Sequence, residues 1–115
     1  MRVIVTGSRK ANNPFFVFDA LSKIHEKTPI TTLVHGMAKG VDTYAAYWAS
    51  SRGITVEGHK AEWNKYKSIA GILRNKKMAE LGADLCIVFP GGNGTTNMKK
   101  EAMKKGIPIK EIKAY

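Results

Sequence analysis

Three segments hold residues whose types and spacing suit chemistry on an anion: Thr6-Gly7-Ser8-Arg9, His35-Gly36-Met37-Ala38-Lys39-Gly40-Val41-Asp42 and Phe89-Pro90-Gly91-Gly92-Asn93-Gly94-Thr95-Thr96. Their glycines let backbone approach a ligand closely. In the third segment the amides of residues 91–95 stand where a helix begins. Exposed N–H groups and the helix dipole favour negative charge at such a place. Thr95 and Thr96 could cap that helix or offer hydroxyls to a phosphate. Arg9, and Arg74 further along, supply planar cationic forks matched to phosphate or carboxylate, although each could equally be a surface arginine. Asp42 could accept from sugar hydroxyls, or simply suit the dipole in the first turn of a helix. Two phosphate-binding fingerprints are excluded. There is no Gly-x-x-x-x-Gly-Lys-Ser/Thr, and Gly36-x-x-x-Gly40 does not fit Gly-x-Gly-x-x-Gly.

The elements that must position these segments follow from hydrophobic periodicity. Val3–Val5 is a short apolar run ended by Gly7, suited to a buried strand. Asn13-Pro14 reads as a helix start, with Val17, Leu21 and Ile24 recurring at helical spacing as far as Glu26. Thr31–Val34 is a second strand. Val41–Arg52 is a second helix, ended by Gly53. Ile54–Val56 is a third strand, and the polar, aromatic stretch 58–67 reads as a loop. A third helix spans Ile69–Leu81, and Asp84–Phe89 contains the most apolar strand. The turn at residues 90–94 leads to a helix over Thr95–Lys105 and a last strand from Ile107 to Ile112. Pro108 cannot donate to a ladder, which places that strand at an edge.

This strict alternation predicts an α/β fold: a single three-layer domain over residues 1–115, with a five-stranded parallel sheet and helices on both faces. In open sheets of this kind ligands sit at the carboxyl ends of the strands. All three chemistry-bearing segments fall at that edge, which raises a phosphate-binding reading above that of ordinary tight turns.

Composition narrows the class. The chain has 115 residues, 43% hydrophobic and 24% charged, as in ordinary globular domains. Its single cysteine excludes an internal disulfide framework and a multi-cysteine zinc site. No metal site or cofactor is expected, and Cys86, inside a buried-looking strand, should be inert. The apolar runs are too short to span a bilayer, and no signal peptide opens the chain, so a cytoplasmic location is expected. Nineteen Lys and Arg against nine Asp and Glu leave a formal charge of +10, which attracts anions. Most of the lysines, including Lys99, Lys100, Lys104 and Lys105, lie beyond the three segments. They read as solvated surface first and weak, non-specific nucleic-acid contact second. His35 could act as an acid or base, or be a buried strand-end histidine. Trp63 and Tyr66 could stack on a base or pack over the third helix. Tyr44, Tyr47 and Trp48 could fill the core or form an apolar patch for a homodimer or higher homo-oligomer.

Taken in order, Gly7-Ser8-Arg9, His35-Gly36-x-Ala38-x-Gly40-x-Asp42, Trp63, Ala70-Gly71-x-x-Arg74-Asn75-x-x-Met78 and Phe89-Pro90-Gly91-Gly92-x-Gly94-Thr95 resemble the YspA-like branch of the SLOG superfamily. The resemblance implies a Rossmann-like fold that binds a nucleotide or nucleotide-derived ligand, in proteins of bacterial or phage type. It places Gly7, Ser8, Arg9, Gly36, Asp42, Arg74, Asn75, Gly92, Gly94 and Thr95 around the ligand. Gly91 and Thr96 join them through the amides and hydroxyls of the third segment. The wider superfamily includes the cytokinin-activating phosphoribohydrolases, whose Pro-Gly-Gly-x-Gly-Thr-x-x-Glu carries a catalytic acid/base. Here Met98 stands where that Glu belongs, and a thioether exchanges no protons. His35 and Glu101, one turn further on, are the remaining catalytic candidates. The expectation is a nucleotide-binding or sensing module. The alternatives are a phosphoribohydrolase-like enzyme with altered catalytic residues, and a basic nucleic-acid-binding accessory protein.

Overall fold

The computed structural model describes residues 1–113. Its elements run β1 (Arg2–Thr6), α1 (Pro14–Lys27), β2 (Thr32–His35), α2 (Val41–Ser51), β3 (Thr55–Gly58), α3 (Trp63–Tyr66), a single 3₁₀ turn (Lys67–Ile69), α4 (Ala70–Leu81), β4 (Leu85–Val88), α5 (Asn93–Lys104) and β5 (Ile109–Glu111). The strands form one sheet in the order β3-β2-β1-β4-β5, and every pairing is parallel. The chain starts in the middle strand, winds outward to β3, crosses to β4 and winds outward again. Beside β1 the direction of winding reverses, and that is where such sheets place ligands.

Strand alternation builds the two cores. Val3 and Val5 of β1, Leu33 of β2 and Ile87 of β4 face α1 and α2, where Val17, Leu21, Ala45 and Trp48 meet them. Ile4, Val34, Cys86 and Val88 face the opposite way, against Met78 of α4 and Met98 and Ala102 of α5. Both faces are thus buried, which explains why these strands read as continuous apolar runs. The fold is Rossmann-like, with three layers.

Local chemistry sets the boundaries. Asn13 Oδ1 accepts the Phe16 amide at 3.3 Å and Pro14 opens α1, as a capped helix start requires. Pro108 lies just before the edge strand β5, where only its carbonyl joins the sheet, accepting from Cys86 N at 2.8 Å. Several boundaries move by one or two residues, β3 and β5 among them, and two differences bear on the site. The stretch 58–67 contains the short helix α3, four residues that are too few to show periodicity. Helix α5 starts at Asn93 rather than Thr95, because Gly92 is its N-cap residue.

The aromatic residues of α2 divide between core and surface. Trp48 is fully buried and its indole N–H donates to Ser22 Oγ at 3.0 Å. Tyr44 donates its hydroxyl to Ala11 O at 3.0 Å, while Tyr47 is exposed and stacks on Phe18. Among the described residues no helix is long and apolar enough to cross a membrane.

Candidate functional site

All three chemistry-bearing segments leave the sheet at its carboxyl edge, and backbone hydrogen bonds tie them together. Ser8 N donates to Pro90 O at 3.0 Å, and Val41 N donates to Ser8 O at 3.1 Å. One residue after β1 therefore holds the loops after β2 and β4. Gly40 makes this possible. Its φ is +71° and a Cβ there would collide with Ser8 O, so a side chain is excluded twice over.

A second set of bonds uses side chains. Asp42 Oδ2 accepts the amides of Gly36 at 2.9 Å and Ala38 at 3.2 Å. Arg74 Nη1 donates to Gly36 O at 2.8 Å, and its Nε donates to Asn75 Oδ1 at 3.2 Å. Asn75 Nδ2 donates in turn to Gly94 O at 3.3 Å and Asn97 Oδ1 at 3.0 Å. The chain Gly36–Arg74–Asn75–Gly94 links the loop after β2 to the start of α5 through α4.

These bonds leave a recess of about 80 Å³ lined by Gly7, Ser8, Arg9, Asp42, Arg74, Gly92, Gly94 and Thr95, together with Thr6 and Ala38. The last two stand in the segments marked from sequence but were not named there as ligand residues. Thr6 ends β1 immediately before the loop, so its position was the available signal. Arg9 lies over the indole of Trp63, with its Cζ 5.7 Å from the ring centroid. Trp63 itself packs toward Gly71, where a Cβ would come within 3.3 Å of the ring. Its ring thus supports Arg9 at the rim of the recess.

The remaining sequence candidates lie outside the recess. Gly36 has its amide on Asp42 and its carbonyl on Arg74, and a Cβ would come within 2.8 Å of Arg74 Cζ. Asn75 is buried with its amide group engaged at both ends, so it orders loops where the resemblance implied a place beside the ligand. Gly91 packs against the Thr95 hydroxyl, and Thr96 Oγ1 donates to Gly92 O at 3.2 Å. Of the two roles open to Thr95 and Thr96, capping α5 is not the one taken, since Thr95 lies buried within the first turn and α5 has no side-chain cap. His35 is buried, with Nδ1 accepting from Met37 N at 3.0 Å. Glu101 is buried on α5, with Lys104 Nζ at 3.7 Å. Neither lines the recess. Met98 is buried in the core between the sheet and the α4–α5 layer.

Charge in the recess is mostly positive but not wholly so. Burial pushes the Asp42 carboxyl up to about 6, against the pull of the Ala38 and Gly36 amides and of the Arg74 and Arg9 cations. Burial also lowers Arg74, which remains a cation because a guanidinium keeps its proton in proteins. His35 is held below its ordinary value by burial, then by His59 and Arg74, so its ring is neutral near pH 7. Burial pushes the Cys86 thiol up to about 12, consistent with an inert side chain. Among the described residues no group of three His, Cys, Asp or Glu side chains comes together to hold a metal.

A model of the YspA, cpYpsA-related SLOG family (YAcAr) matches residues 1–66, more than half the chain. The chain belongs to this family. The YAcAr match spans β1 to α3 and so includes the first two site loops and Trp63. The chain is also 40% identical to the Gene 61 protein of Mycobacterium phage D29 over 116 aligned residues, covering 94% of this chain and 93% of that one. That likeness extends over Arg74 and the loop after β4. No solved structure matches the chain. SLOG membership associates the YAcAr fold with nucleotide-related binding.

Proposed function

We propose that this protein is a binding or sensing module for a nucleotide or nucleotide-derived ligand, held by a phosphate in the recess. The observation that carries this reading is the convergence of three loops on one recess, beside Arg9, Arg74 and the uncapped start of α5. The first amides of a helix have no partner within it, so Asn93, Gly94 and Thr95 offer N–H groups that an anion can take. Arg9 and Arg74 add positive charge at the same place. Binding without turnover is supported by Met98, a buried apolar residue at the position where the phosphoribohydrolases carry their Glu.

Calorimetric titration with a panel of nucleoside monophosphates, cyclic nucleotides and ADP-ribose derivatives tests the reading, with the unphosphorylated nucleosides as controls. Phosphorylated members should bind and the nucleosides should not. Absence of binding at millimolar nucleotide, or equal affinity for nucleosides, would overturn it. Release of free base during the same incubations would support the hydrolase reading instead.

A further inference from the structure

The recess has room for a phosphate group and little more. Sites for whole small molecules normally enclose ~300–1,000 Å³. A nucleotide anchored at about 80 Å³ must therefore place most of itself elsewhere. Arg74 lines a second cavity as well, a basin of about 410 Å³ bounded by the end of β3 and by α3 and α4. Its Nη1 and Nε are held by Gly36 and Asn75, which fixes the guanidinium between the two spaces.

The basin is cationic. Lys60, Lys77 and Arg74 face it, against the single carboxylate of Glu62. Lys60 and Lys77 are exposed and belong to none of the ion pairs among the described residues. His59, also on its wall, is 2.7 Å from Glu57 Oε2 and is engaged there. Tyr66 adds an aromatic ring. The other cavities that share recess residues are less suited to an anion. One, about 300 Å³, sets Lys99 and Lys113 against Glu111, and Lys99 Nζ is engaged by that carboxylate at 2.5 Å, so this cavity holds fewer free cations than the basin. The other, about 260 Å³, has Lys10 as its one cation and is walled mainly by Phe16, Val17, Val41 and Phe89.

We propose that the ligand is a nucleotide with two anionic groups, one seated in the recess and the second in the basin against Lys60 and Lys77, with Arg74 between them. This rests on the reading of the recess as a phosphate site. The two anions can be adjacent, as in a diphosphate, or separated, as in a bisphosphate.

Calorimetry with inorganic phosphate, AMP, ADP and adenosine 3′,5′-bisphosphate tests the proposal on three proteins: native, Lys60→Ala/Lys77→Ala, and Lys100→Ala/Lys105→Ala as an equal loss of charge elsewhere. On the native protein ADP or the bisphosphate should bind about tenfold more tightly than AMP, and the one preferred tells adjacent from separated anions. The Lys60/Lys77 variant should lose that advantage while keeping phosphate and AMP affinity within about twofold, and the Lys100/Lys105 variant should behave as native. Native protein that binds AMP no more weakly than ADP and the bisphosphate would overturn the two-anion ligand and leave the recess reading standing. So would equal losses in both variants. Native protein that binds neither phosphate nor any nucleotide would overturn both.

Discussion

The loops entering α2 and α5 start from the same materials, glycines after a parallel strand at the ligand edge, yet they reach opposite electrostatic states. The α2 entrance carries its own anion. Asp42 sits in the first turn and its carboxylate takes the amides of Gly36 and Ala38. The α5 entrance has no acidic residue in its first turn, and its N-cap Gly92 has open space where a Cβ would be, unlike Gly40 of α2. Both helices start from a glycine N-cap without a side-chain cap, but the α2 entrance holds a carboxylate on its loop amides and Val41 N on Ser8 O, whereas the α5 entrance holds no carboxylate. A glycine-rich turn is thus not in itself an anion site. What separates the two is the acidic residue in the first turn of α2, which α5 lacks.

The most direct way to break this contrast is to put a carboxylate at the α5 entrance, as the α2 entrance already has. In Gly92→Asp the new carboxylate should cap the α5 amides and repel a phosphate. Nucleotide affinity should fall roughly a hundredfold or more, since like charges in contact cost several kcal/mol. Thermal stability should stay level or rise by about a few tenths of a kcal/mol, because Asp is at least as good an N-cap as Gly. Retained binding measured by calorimetry would show that the α5 entrance is not the anion site.

Arg74→Ala should come next. Phosphate affinity should drop roughly tenfold to a hundredfold with loss of a charge-assisted contact, and stability should fall by about 1–3 kcal/mol as Gly36 O and Asn75 Oδ1 lose their donor. Denaturant unfolding alongside the titration separates the two effects.

Asp42 sharpens the contrast through pH. Its folded value of about 6 lies above the ordinary value near 4, so its carboxyl favours folding below pH 4, and that contribution is lost as pH rises through 6. Between pH 4 and pH 7 the native protein should therefore lose roughly 2–3 kcal/mol relative to Asp42→Asn. Removing this charge should also tighten phosphate binding at pH 7. A stability difference that does not change with pH would mean that Asp42 is not a buried carboxylate held against its desolvation.

The smallest expected effect lies away from the loops. Glu57 is pulled down to about 2, first by its hydrogen bond from Arg2 and then by His59. Its contribution is present above the ordinary carboxylate range and lost as pH falls toward 2, opposite in sign to that of Asp42. The group is part-exposed, so Glu57→Gln should move the acid limb of the stability profile only slightly, and less at high salt.

Much of the arrangement could be read from the residues. Apolar runs broken by Gly and Pro marked the five strands, and Pro108 marked the edge. The loop glycines pointed to the right end of the sheet, because parallel winding puts every strand exit before a helix at one edge. What could not be read was the use of each polar group. Asn75 and Arg74 are neighbours in sequence, yet Asn75 is engaged wholly within the protein while Arg74 faces two cavities. That difference depends on partners 19 and 38 residues away. The basin was hidden for the same reason, since Lys60 and Lys77 come together only when α4 packs beside the end of β3.

Backbone amide NMR of the native protein during titration with AMP tests the central claim most directly. Shifts should concentrate on Arg9, Asn93, Gly94 and Thr95, while the Gly36 and Ala38 amides, already held by Asp42, stay nearly still. Largest shifts at Gly36 and Ala38, or none at the start of α5, would contradict the account.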